Sequence, residues 1–93
     1  MDEYNEEEIK AKIVYSLYRK KYFGERHTPP IFICKRLSNI PCKYINKQLK
    51  KLAKEGIIGI YTTGHGKDIY LNPKKIKEIE NTISHLIEDL YNF

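Results

Sequence analysis

Apolar positions along this chain fall into four stretches of helical spacing and one alternating pair. Ile9, Ile13 and Leu17 make one line, while Ala11, Tyr15, Tyr18 and Tyr22 make a second nearly opposite, so a helix over about 5–23 has two apolar faces. Asn5 is placed to cap its free amides, with Glu8 reaching back, Glu6 to Glu8 at the positive end of the helix dipole and Gly24 as the stop. Arg26-His27-Thr28-Pro29-Pro30 cannot be helical through its prolines and reads as a loop or a short extended segment. A short helix is expected over about 30–38, with Ser38-Asn39 as the turn that follows. The next helix, about 41–55, opens at Ile40-Pro41, closes at Gly56 and repeats Ile45, Leu49 and Leu52 on one buried face. Residues 57–71 then read as two strands around the tip Thr63-Gly64-His65-Gly66-Lys67.

Asn72-Pro73 starts a last helix, about 73–93, in which Ile76, Ile79, Ile83, Leu86, Leu90 and Phe93 follow alternating steps of three and four, widened by Ile87 and Tyr91. That spacing is a heptad seam. The predicted class is mainly α with a small β-hairpin (α+β), as one compact unit over 1–72 with a helical appendage over 73–93. No internal repeat, low-complexity stretch or interdomain linker interrupts it.

Opposite the apolar line of the 41–55 helix stand Lys43, Lys47, Lys50 and Lys54, flanked by Asn46 on one side and by Tyr44 and Lys51 on the other. The formal charge of +5 conceals a sharper distribution. Residues 1–8 hold five acids and no base, residues 9–67 hold 14 Lys or Arg against Glu25 and Glu55, and residues 68–93 hold three bases against five acids. The positive field therefore belongs to the middle of the chain, where a polyanion would sit.

Helix, tight turn, lysine-studded helix and hairpin follow one another in the order of a winged helix-turn-helix. Through Ile33, Leu37, Ile40, Ile45, Leu49, Leu52, Gly56-Ile57-Ile58 and Ile69-Tyr70-Leu71 the chain resembles the winged-helix DNA-binding regulators, of the small prokaryotic, archaeal or archaeal-virus type with a C-terminal dimerisation helix. Leu52-Ala53-Lys54-Glu55-Gly56-Ile57-Ile58 fits the family's passage from recognition helix to first wing strand position by position. The resemblance implies sequence-specific binding of double-stranded DNA by a transcriptional regulator, with the recognition helix in the major groove and the wing on the backbone or in the minor groove. Lys43, Lys47, Lys50, Lys51, Lys54, Lys67, Lys35 and Arg36 are the expected phosphate contacts. Lys43 and Asn46 are the expected base readers, Tyr44 contributes packing or a phosphate hydrogen bond, and His65 projects from the wing.

The two extra apolar faces point to a homodimer through Tyr15, Tyr18, Tyr22, Ile76, Ile79, Ile83, Leu86, Leu90 and Phe93. Two other readings stay open: a winged-helix module for protein interaction or assembly, and a nonspecific architectural DNA-binding protein.

An enzyme is not expected, because no phosphate loop, paired carboxylates or nucleophile with its base is present. His85-x-x-Glu88 beside Asp89 has metal-ligand spacing but reads as a solvated face, so neither metal nor cofactor is expected, and no small-molecule effector is identifiable. Cys34 and Cys42 read as reduced thiols of a cytoplasmic protein. No apolar run approaches the ~20 residues of a membrane span. Abundant Lys, Ile and Tyr with a single Gln point to a thermophile with an AT-rich genome.

Overall fold

Helix α1 (Glu6–Arg19) is the strut against which the other elements pack: Ile9, Ile13 and Leu17 are buried with Ala11 and Val14, while Tyr15, Tyr18 and Tyr22 of the second apolar line are half-buried. The computed structural model describes the backbone of residues 4–91 and side chains as far as residue 87. The expectations placed on Glu88, Asp89, Leu90, Tyr91 and Phe93 lie outside the described side chains. Asn5 caps α1 as expected, its side-chain oxygen accepting from the Glu8 amide at 3.1 Å. Glu8 does not reach back to complete the capping box; its carboxylate meets His85 Nε2 at 2.9 Å instead.

α1 ends four residues earlier than its apolar pattern predicts, because Lys21, ahead of Gly24, takes up the left-handed conformation at φ 59°. With that turn made, the Lys21 amide donates to the Tyr18 carbonyl and the Tyr22 amide to the Leu17 carbonyl, both at 3.0 Å, which satisfies the last carbonyls of the helix.

Helices α2 (Ile31–Arg36) and α3 (Cys42–Lys54) follow, each giving its apolar side to the core through Ile33 in α2 and through Ile45, Leu49 and Leu52 in α3. α3 closes by the same device as α1, here with glycine. Gly56 at φ 79° lets its amide reach Ala53 and the Ile57 amide reach Leu52, both at 3.1 Å. Between the helices the structure corrects the expectation of free thiols: Cys34 and Cys42 form a disulfide across the turn, their Cα atoms 5.2 Å apart. The turn folds the end of α2 back onto the first turn of α3, which brings the two Cα atoms within the span a disulfide requires.

Strands β1 (Ile58–Thr63) and β2 (Gly66–Leu71) pair antiparallel from Ile58↔Leu71 to Thr63↔Gly66, leaving Gly64-His65 as a two-residue turn. The free edge of β2 is covered by the segment after α1. Thr28 exchanges backbone hydrogen bonds with Ile69 at 2.8 and 3.0 Å, and Leu71 N–H donates to the Tyr22 carbonyl at 2.8 Å. The proline-containing segment thus supplies the short strand contact with the hairpin that the resemblance to winged helices implies. One face of the hairpin sends Ile58, Ile69 and Leu71 into the core. On the other, the end of the Tyr70 ring lies where a Cβ on residue 59 would stand, so Gly59 gives that ring its place across the strand. His27 stacks on Tyr61 with centroids 4.3 Å apart and pairs with Asp68 at 2.6 Å.

After a 3₁₀ turn (Pro73–Lys75), helix α4 (Ile76–Tyr91) returns along α1. Ile79 and Ile83 are fully buried in the domain's own core. The expected interchain seam is therefore corrected at its centre: α4 turns that part of its stripe inward and packs along α1. Tyr18 donates to Glu80 of α4 at 3.3 Å, and Tyr22 lies beneath Arg26 and Arg36, so these tyrosines have partners within the chain. Of the seam's described side chains, Ile76 is exposed and Leu86 half-buried. Among the described residues no helix is long and apolar enough to cross a membrane.

Candidate nucleic-acid interface

α3 is amphipathic because its core residues recur at 45, 49 and 52, which leaves Lys43, Lys47, Lys50 and Lys54 on the opposite side, all exposed. The hairpin rises beside this helix. Between them runs an open groove of about 390 Å³ lined by Asn46, Lys50 and Ala53 of α3, by Ile60, Lys67 and Ile69 of the hairpin, and by Pro30. A contiguous depression carries Lys47, Lys51 and Lys54 along the helix, again with Ile60 as its far wall. The structure thus brings together Asn46, Lys47, Lys50, Lys54 and Lys67 on one side of the molecule.

Other candidates are drawn into the protein. Lys51 is half-buried and donates to the Glu6 carboxylate at 2.9 Å, with Lys47 of the same face 3.6 Å from that oxygen. Gln48, buried on α3, also donates to Glu6, at 3.1 Å. These partners, the Lys51 hydrogen bond first, then Gln48, then the positive charges of Lys51 and Lys47, hold the Glu6 carboxyl well below the usual range, at about 2. The acidic start of α1 therefore does more than complement its own dipole: Glu6 clamps α1 to α3, and Glu55 returns the link by pairing with Lys10 at 3.2 Å. Tyr44 packs on Tyr4 with centroids 4.9 Å apart and lies under the Lys43 ammonium at 5.2 Å, which makes it a spacer holding Lys43 outward.

Lys35 sits over the Phe32 ring at 5.3 Å and lines neither part of the groove. Arg36 points elsewhere, to Ser16 of α1 at 3.3 Å and to the Tyr22 ring at 5.8 Å. His65 is exposed on the hairpin turn, its amide held by the Thr63 hydroxyl at 3.1 Å. Asn46 is exposed, and its amide nitrogen lies 3.7 Å from Cys42 Sγ.

The groove also contains residues that charge-based reasoning passes over. Ile60 is 52 % exposed although it points to the same side as buried Ile58 and Ile69. Strict alternation along β1 places it there, and its exposure follows from lying beyond the core's edge. Chemically the site offers ammonium groups on two walls and an apolar floor, with no carboxylate among its lining residues. Among the described residues no group of three or more His, Cys, Asp or Glu could hold a metal ion.

No protein-family model, curated protein or solved structure matches the chain.

Proposed function

We propose that the chain is a winged helix-turn-helix domain that binds double-stranded DNA in a sequence-specific way and acts as a transcriptional regulator, with α3 in the major groove and the β1–β2 hairpin against the flanking backbone or minor groove. The fold part is supported by the order α1, α2, α3, hairpin, and by the Thr28–Ile69 contact that adds a third short partner to the sheet. One observation carries the functional part: the exposed row Lys43, Lys47, Lys50 and Lys54 continues across the groove to Lys67.

A phosphate strand running along that groove meets Lys50 from one wall and Lys67 from the other, while its sugars lie on Ile60 and Ala53. Lys43 and Asn46, in the first turns of α3, are the side chains for base edges, a lysine suiting guanine and an asparagine suiting adenine. The binding unit in this reading is a single domain, because the centre of the α4 stripe is inside the core.

The test is a fluorescence-anisotropy titration of a labelled duplex at 50 and 200 mM salt, preceded by selection of preferred sites from random duplexes. Lys47→Glu with Lys50→Glu should abolish binding to the selected site, and wild-type affinity should fall steeply with salt. Duplex binding indifferent to both lysines overturns the reading. Selection of palindromic sites would overturn the single-domain part alone.

A further inference from the structure

The chain has fourteen lysines and only three arginines, and all three arginines converge on one corner of the fold. Arg19 lies over the Tyr15 ring at 5.8 Å, while Arg26 and Arg36 both face the Tyr22 ring, at 5.3 and 5.8 Å. Exposed Lys20 and Lys21 stand beside them where α1 ends. Local geometry makes the corner: the left-handed Lys21 turns the chain sharply, and Tyr22 is held by the backbone of β2 within reach of arginines from the next loop and from α2.

We infer that this corner is a second phosphate-binding surface, for the backbone of a second DNA segment, distinct from the α3 groove. Three observations carry it. First, all three guanidiniums are exposed, and among the described residues none is ion-paired to a carboxylate, whereas Lys10, Lys47 and Lys51 are. Second, an aromatic ring beneath each guanidinium limits its freedom while leaving N–H groups for a ligand, and the planar arginine fork matches phosphate in a way a lysine point charge does not. Third, the corner is far from the first site. Glu6 marks the α3 end of α1 and Arg19 lies thirteen residues further along, roughly 20 Å at 1.5 Å per residue. At that spacing each surface has room for a phosphate strand of its own.

The inference rests on the DNA-binding reading above, and its experiment separates the two. Arg19→Gln with Arg26→Gln removes two guanidiniums while leaving Arg36 on Ser16; Arg19→Lys with Arg26→Lys keeps the charge and loses the fork. Thermal melts followed by circular dichroism establish that both variants fold. Duplex binding, and capture of a second, differently labelled duplex onto a bead-bound one, are each measured across a salt series with wild type, both arginine variants and Lys47→Glu/Lys50→Glu.

Expected results are a salt slope of second-duplex capture shallower by about 1.8 for the glutamine variant, two phosphates at ~0.9 each, with the slope of first-duplex binding as in wild type. Second-duplex capture should fall about tenfold or more, with only partial rescue by the lysine variant. Arginine variants that match wild type in slope and capture, while the α3 variant loses binding, overturn this inference and leave the DNA reading standing. Wild type that binds no duplex overturns both. A glutamine variant that loses only binding to phosphatidylserine vesicles assigns the corner to a membrane and also overturns the inference.

Discussion

The Glu6 carboxylate accepts a 2.9 Å hydrogen bond from Lys51 and a 3.1 Å hydrogen bond from Gln48, so the first turn of α1 holds the middle of α3. The same oxygen lies 3.6 Å from Lys47, which faces the candidate groove. A structural clamp and a cationic surface therefore share one carboxylate.

This sharing sets a pH dependence. The Glu6 carboxyl is depressed to about 2 in the folded chain, against about 4.3 for a free glutamate side chain. A depressed carboxylate contributes stability that is fully present above pH ~4.3 and is lost as pH falls through ~2. Glu6→Gln should flatten the fall in stability across that window relative to wild type, as read by urea unfolding at pH 6, 4 and 2.5. It should also release Lys47 and Lys51 and so raise duplex affinity at pH 7 by roughly two- to fivefold, the scale of an exposed ion pair. Parallel pH profiles for the two proteins would show that the clamp is not there in solution.

The Cys34–Cys42 disulfide closes a short loop containing the turn between α2 and α3. A loop of this length restricts the unfolded chain by about 2.5 kcal/mol. Cys34→Ser with Cys42→Ser should lower unfolding free energy by about that amount, and treatment of wild type with a dithiol reductant should reproduce the loss. A denaturant midpoint unmoved by either would mean the bond does not form.

Ile83 is fully buried within one chain. Ile83→Ala should cost about 2–5 kcal/mol, the range for deleting a core aliphatic side chain. Because the contact is intramolecular, the wild-type midpoint should be the same at 2 and 200 µM protein. An interchain seam would make it rise with concentration.

What could be read in advance from the residues was what local chemistry decides. Pro41 and Gly56 bracket α3, alternation from Ile58 to Leu71 marks the hairpin, and Asn5 marks where α1 starts, since each acts within a turn or two of itself. The end of α1 was not readable, because a lysine in the left-handed region carries no sequence signal and is followed by a Tyr22 whose backbone is held by Leu17 and by Leu71, forty-nine positions away in the chain. Neither was the partner of the α4 stripe, since steps of three and four along α4 serve burial within a chain or between chains equally. Pairing of Cys34 with Cys42 depended on how tightly the turn folds, a three-dimensional quantity. In the candidate interface the lysines of α3 followed from periodicity alone. The neutralisation of Lys51 by Glu6, forty-five positions away, and the exposure of Ile60 emerged only from tertiary structure.

The burial of Ile79 and Ile83 against α1 has a temporal side. During synthesis α1, α2, α3 and the hairpin leave the ribosome while α1 still shows an oily flank, and that flank is sheltered only when α4 arrives. Until then the nascent polypeptide is a natural client for chaperones that grip greasy segments, and a polypeptide cut short between Asn72 and Ile79 would keep that flank bare and be most prone to clump.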